Sequence, residues 1–274
     1  MAGTILLGID VETADGSGTY ARLGPEFLAR RGVRASWYVT GRAMEANPDL
    51  FRAADRSGQV DIQGHTYSHI LLKTVFIEVP PGRTVNGRTD FFLKRGGTIE
   101  DIDADLGRAQ KVFQDVLGRR AAGLTCPWGY YRGLADRPDL LEMVHRHGFR
   151  FIRSFGRDER DGQPVPLERR PFRYEPQGFP DMLELMIHDY QDDFYFAQFT
   201  GLTDPAAYTS HLKEVADRVA REDLVWSLCT HDHGCATDSA FAVKTAWLSD
   251  LIGHARSRGI RFATGAEYYA EVKL

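Results

Sequence analysis

The chain has 274 residues, 43% hydrophobic and 26% charged, with a formal net charge of −4. That balance suits an ordinary globular protein, one large α/β domain or two small ones. Acids and bases are interspersed, which excludes a basic stripe for nucleic acid, and no run approaches the ~18 apolar residues of a membrane span. The first apolar run, Ile5 to Ile9, follows no basic segment and stops at Asp10, too short for a signal peptide. Three cysteines, Cys126, Cys229 and Cys235, form no Cys-x-x-Cys and fit reduced thiols in a cytoplasmic protein.

Residues 4–9 read as a fully buried strand that ends at Asp10-Val11-Glu12-Thr13. Two carboxylates at the end of a buried strand do not serve the core, because an unpaired charge there is costly. They read either as one base and one metal ligand or as loop acids that cap a helix. An amphipathic stretch with Leu23, Phe27 and Leu28 precedes a second strand, 35–39. A helix is predicted over Ala43–Ser57 and a third strand over 60–63, an alternation that implies parallel strands with right-handed crossovers.

The third strand runs into Gly64-His65-Thr66-Tyr67-Ser68-His69. Imidazoles at this spacing can converge on one cation from a helical turn or a tight loop. From Leu71 to Gly97 the periodicity lapses, and this long insertion reads as a lid or specificity loop or as an oligomer arm. Thr98 then caps a helix whose apolar face is Ile102, Leu106, Ala109 and Phe113, with Gly118 as its stop. Further strands are predicted at 121–126, 149–152, 182–187, 224–229 and 260–263. Helices are predicted over 138–147, from Asp204-Pro205 onward and over 239–257, and the segment 156–180 reads as irregular. No linker or internal repeat divides the chain, so one domain over 1–274 is expected.

The polar residues gather after the apolar strands: Asp10 and Glu12, His65 and His69, Pro127-Trp128, His188, His231. In a parallel barrel these ends meet at one rim. One carboxylate with two imidazoles gives a three-ligand site with open positions, for which zinc is the first occupant to consider. Such an ion acidifies water and polarises a carbonyl, a second carboxylate takes the proton, and an acid opposite protonates the leaving group. His231 is placed by sequence for that last role. A second arrangement puts the ion at His231, His233 and His188, but His231 and His233 would point to opposite faces of a strand, which leaves His233 either behind the ligands or on the solvent-facing loop.

Taken together, these motifs resemble the NodB-type polysaccharide deacetylases, carbohydrate esterase family four, and their amide-hydrolase relatives. Asp10-Val11-Glu12 matches an Asp-x-Asp motif with Glu for the second Asp. His65-Thr66-Tyr67-Ser68-His69 matches the His-Ser/Thr-x-x-His motif in full. Thr125-Cys126-Pro127-Trp128-Gly129 meets Arg-x-Pro-aromatic-Gly with Thr where Arg is usual, and Leu228 to His231 meets Leu-x-His with one extra residue. The Leu183-Glu184-Leu185 and Gln191-Asp192-Asp193-Phe194-Tyr195-Phe196 segments are similar to the cytoplasmic branch, which includes cyclic-imide hydrolases and allantoinase-like enzymes and whose members tend to be homo-oligomers.

The resemblance implies a distorted (β/α)7 barrel. It implies one divalent ion, zinc first, on Glu12, His65 and His69. It implies Asp10 as base, His231 as acid, and an oxyanion and substrate pocket at Trp128, Pro127 and Tyr130. Asp10 and Glu12 exchanging roles is the alternative. With Thr125 in place of Arg, the base must be oriented by another group, for which Arg153 and Arg132 are the candidates. The function implied is hydrolysis of a non-peptide C–N bond, deacylating an N-acyl amino sugar or related carbohydrate. A small cyclic imide or ureide as substrate, and a catalytically silent sugar-binding relative, are the alternatives.

Overall fold

The computed structural model describes residues 3–272. Strand β1 (Thr4–Val11), helix α1 (Gly16–Arg31) and β2 (Ala35–Val39) are followed by α2 (Gly41–Ala46), α3 (Pro48–Arg56) and β3 (Val60–Gly64). Next come β4 (Val75–Glu78), β5 (Phe91–Lys94), α4 (Ile99–Leu117), β6 (Gly123–Tyr131), α5 (Pro138–Arg146) and β7 (Phe151–Arg157). The chain continues through β8 (Phe172–Tyr174), β9 (Phe179–Glu184), α6 (Asp193–Thr200), α7 (Pro205–Glu222) and β10 (Val225–His231). Helix α8 (Asp238–Ser257), β11 (Arg261–Ala263) and α9 (Gly265–Glu271) complete it.

Seven strands run parallel in the order β10-β1-β2-β3-β6-β7-β9, with β8 antiparallel on β9 and β11 beside the start of β1. This is the expected α/β arrangement, a distorted seven-stranded barrel sheet wrapped by helices. β9 and β10 form no ladder with each other. At that seam the chain after β9 turns inward. Leu185 N–H donates to Ile152 O (2.7 Å), Ile187 N–H to Phe155 O (2.8 Å) and His188 N–H to Ser227 O (2.9 Å). The His188 ring completes the seam: Nδ1 accepts from Ser227 N–H (3.0 Å) and Nε2–H donates to Arg169 O (2.6 Å). Burial pushes its pKa down to about 4, so the ring stays neutral, as an Nδ1 acceptor must.

Several local expectations are corrected. The helix predicted over 43–57 is two helices. Pro48 has no N–H to continue the ladder, and Asn47 (φ −137°, ψ 50°) breaks the run. The lapse at 71–97 contains an antiparallel hairpin, Val75↔Lys94 to Glu78↔Phe91. Its strands are four residues long, and one face, Phe76, Phe91 and Leu93, is exposed. That mixture yields neither a clean alternation nor a buried run. The segment read as irregular contains β8, and β9 lies earlier than predicted. Helices α6 and α9 add to the predicted set. The second opens with a capping box between Thr264 and Glu267.

Candidate active site

The C-terminal ends of β1, β3, β6 and β10 meet at one rim around a cavity of about 400 Å³. Asp10 lies beside His231 in the β1–β10 register. His65 and His69 sit on a tight loop after β3, not on a helical turn. Thr66 and His69 adopt positive φ (59° and 63°), which folds the loop back so that both rings face β1. Asp105 on α4 holds the loop by accepting from Tyr67 N–H (2.6 Å), Ser68 N–H (3.1 Å) and Ser68 Oγ–H (2.5 Å).

Glu12 is the centre of the cluster. Its Oε2 lies 2.8 Å from His65 Nε2 and 2.9 Å from His69 Nε2. Asp10 Oδ2 stands further off, 3.9 Å from His65 Nε2, so the geometry favours Glu12 over Asp10 as the ligand. His65 Nδ1–H donates to Thr125 O (2.9 Å), which leaves Nε2 as the lone-pair nitrogen of the neutral ring. A lone pair facing a carboxylate oxygen at that distance needs a cation between them, a proton or a metal ion. Burial alone would raise the Glu12 carboxyl. Hydrogen bonds from His233, His65 and His69 outweigh it and hold the group well below the ordinary carboxylate range. The donor set therefore fits a divalent ion.

Two other donor triads exist among the described residues, Asp10–Cys229–His231 and Asp192–His231–His233. Both are compromised. The Arg153 guanidinium stands 3.4 Å from Asp10 Oδ1 and repels a second cation. Asp192 has both oxygens committed: Oδ1 caps α6 at Phe194 N–H (2.9 Å) and Tyr195 N–H (3.1 Å), and Oδ2 holds His231 Nδ1 (2.9 Å). The arrangement at His231, His233 and His188 fails because both ring nitrogens of His188 are spent at the seam.

Opposite Glu12, His231 and Asp192 form a carboxylate–imidazole pair. Burial would lower the His231 pKa, but the Asp192 hydrogen bond and charge raise it to about 9, so the ring is an imidazolium at neutral pH. Its Nε2 points toward Asp10 Oδ2, 3.9 Å away. The sequence alone marks Asp192 only as a capping acid. It is that, and it is also the partner of His231.

The place left by Thr125 is filled from the next strand. Thr125 and Arg153 are register partners across β6 and β7. Arg153 is 1% exposed, lies 4.4 Å over the Tyr38 ring and pairs with Asp10. Gly8 makes room for it, since a Cβ there would come within 1.9 Å of Arg153 Nη1. Arg132, the other candidate arginine, is exposed and makes no ion pair with Asp10 among the described residues.

Trp128 lines the cavity, at a left-handed turn (φ 72°) that interrupts the β6–β7 register. Pro127 and Tyr130 do not line it. Tyr130 is buried on the far side of that turn, where its hydroxyl accepts from Leu72 N–H (2.8 Å). The hairpin reaches the cavity through Asn86. Phe92 stacks on Trp128, 5.3 Å between centroids and 11° between planes.

With this geometry in view, the relatives can be placed. The sequence model of the family described as polysaccharide deacetylase matches residues 12–152, which include Glu12, His65, His69 and Trp128. The chain belongs to the polysaccharide deacetylase family. No curated protein matches it. Among solved structures it is similar to a Mycobacterium smegmatis protein assigned as a polysaccharide deacetylase, at 18% identity and TM-score 0.68 over 99% of this chain and 90% of that one. It is similar to the Puue allantoinase at 14% identity and TM-score 0.65, over 97% and 89%. A family 4 carbohydrate esterase from Streptomyces lividans, in complex with acetate, aligns at 14% identity and TM-score 0.53, over 96% and 92%. The family is named for a hydrolytic activity, and it also holds a structure described as a pseudoenzyme, from Bacillus anthracis, at 12% identity and TM-score 0.53 over 98% of this chain and 66% of that one. Among the described residues no helix is long and apolar enough to cross a membrane.

Proposed function

We propose that this polysaccharide deacetylase family member is a metal-dependent hydrolase of a non-peptide C–N bond, removing the acyl group from an N-acyl amino sugar or related carbohydrate. The observation that carries the reading is the convergence of His65 and His69 on one oxygen of Glu12, beside Asp10 and the His231–Asp192 pair. Glu12, His65 and His69 would hold a divalent ion, zinc first, and the chemistry it would supply there is Lewis acidity toward a water and the acyl carbonyl. Asp10, held from behind by Arg153, takes the proton of the attacking water. The imidazolium of His231 gives its proton to the leaving nitrogen, and Asp192 stabilises the charged ring beforehand. The Trp128 N–H is the donor for the developing oxyanion, a role supported by the left-handed turn of that residue at the cavity wall. Three free, buried cysteines support a cytoplasmic site of action.

A second reading keeps the site and changes the substrate to a small cyclic imide or ureide. The observation that favours it is the size of the cavity, about 400 Å³, with the hairpin laid against Trp128 on one side. A cavity of that size accommodates a small ring. Zinc-loaded protein assayed on N-acetyl sugars of one to four rings, cyclic imides and ureides separates the readings. Release of acetate supports the first, ring opening supports the second, and binding without turnover on every member of the panel overturns both.

The acid assignment carries its own pH signature. Because His231 must be protonated, kcat/KM is expected to fall as pH rises through about 9. In Asp192→Asn the amide oxygen still caps α6, but the negative charge is gone. The fall should then move down toward the ordinary imidazole value of about 6.5. A pH profile that keeps its alkaline limb in the variant would remove His231 from that role.

A further inference from the structure

Three consecutive residues at the end of β10 all bear on the same pair of carboxylates. His231 faces Asp10. Asp232 accepts from Glu12 N–H (3.2 Å) and from Thr13 N–H and Oγ1–H (3.1 and 2.9 Å), which fixes the main chain of the β1 end. His233 lies past the strand, in a turn completed by Gly234 (φ 76°), so the alternation that would point it away from His231 no longer applies. Its ring stacks on His231, 4.7 Å between centroids and 23° between planes, and its Nε2–H donates to Glu12 Oε1 at 2.7 Å.

Glu12 thus divides its two oxygens, Oε2 to His65 and His69 and Oε1 to His233. We propose that His233 is a positioning residue that clamps the Glu12 carboxylate and sets the affinity of the Glu12–His65–His69 centre for its divalent ion. The inference rests on the metal-site reading above and goes beyond it. Glutamate has one more rotatable bond than aspartate, so at this position a free carboxylate would sample orientations in which Oε2 leaves the two imidazoles. The clamp removes that freedom before the ion arrives. His233 is not itself a member of the group whose donor atoms lie within 4.8 Å of one another, which holds Glu12, His65 and His69. Its side chain is 46% exposed, so replacing it opens no hole in the core.

The test is Zn2+ affinity by competition with a chromophoric chelator, together with the absorption spectrum of the Co2+ form, for the wild type and variants with unchanged melting temperature. His233→Ala is expected to weaken Zn2+ about 10- to 100-fold, the loss typical of an outer partner of a metal ligand. His233→Gln, which can donate from nearly the same place, restores most of it and leaves the Co2+ spectrum unchanged. In a Glu12→Asp background, where the shorter carboxylate no longer reaches the ring, His233→Ala adds little. Wild-type affinity in His233→Ala overturns the proposal. So does a Gln variant as weak as Ala with an altered Co2+ spectrum, which would make His233 a ligand. A wild type that takes up no ion, indistinguishable from His65→Ala/His69→Ala, removes the metal reading itself and the clamp with it.

Discussion

His65→Ala/His69→Ala is expected to strip the protein of its divalent ion and to lower kcat/KM by ~10³-fold or more. The size follows from what an ion at this position does. Several kcal/mol of charge stabilisation are lost together, at about 1.4 kcal/mol per tenfold in rate. The two rings contribute differently. His65 is 1% exposed and bonded to Thr125 O, so its loss also costs packing. His69 is 31% exposed at the cavity side, so His69→Ala alone separates the loss of the ion from the loss of stability. Elemental analysis after dialysis reads the result: about one ion per chain in the wild type and none in the double variant. Equal, substoichiometric metal in both, with equal turnover, would sink the assignment.

The second large effect is at Asp10. Asp10→Asn keeps the shape and removes the base, for an expected loss of about 10²- to 10⁴-fold in kcat/KM. It also leaves Arg153 as a buried cation without a counter-charge, and breaking such a pair costs roughly 3–5 kcal/mol of stability. The two consequences separate in a double variant. Arg153→Met in the Asp10→Asn background should recover much of the stability and none of the rate, because a thioether over Tyr38 needs no charge partner. Denaturant unfolding and steady-state kinetics on the four proteins check this. Strictly additive losses of stability would show that Asp10 and Arg153 are not coupled.

How much of this is legible in the sequence differs by kind of residue. Strand–helix alternation and the polar residues after each apolar run are enough for the parallel fold and for Asp10, Glu12, His65, His69 and His231, because burial on both faces writes a continuous apolar run that stops where chemistry begins. The hairpin is not legible, since its outward phenylalanines disguise the alternation of β4 and β5. Asp192 gives the signal of a helix cap. That it also serves His231, 39 residues away, is tertiary information. Arg153 stands in the sequence as one of two candidates, and only the pairing of β6 with β7 distinguishes it from Arg132. For His233 the alternation rule leaves two places, behind the metal ligands or on the solvent-facing loop, and only the turn after the strand ends at His231 shows its ring on Glu12.

What β6 supplies to His65 is the main-chain oxygen of Thr125, and every amino acid has one. The side chain at 125 is therefore under no obligation to the tautomer of His65, and the cation that accompanies the base can migrate to the neighbouring strand without disturbing it. An inventory that scores members by the letters of the third motif would count this chain as missing a part. One keyed to sheet register, looking one strand over from the empty place, would find the part already there. In this chain a substituted motif position is then a question about its lateral neighbour before it becomes a sign of inactivity.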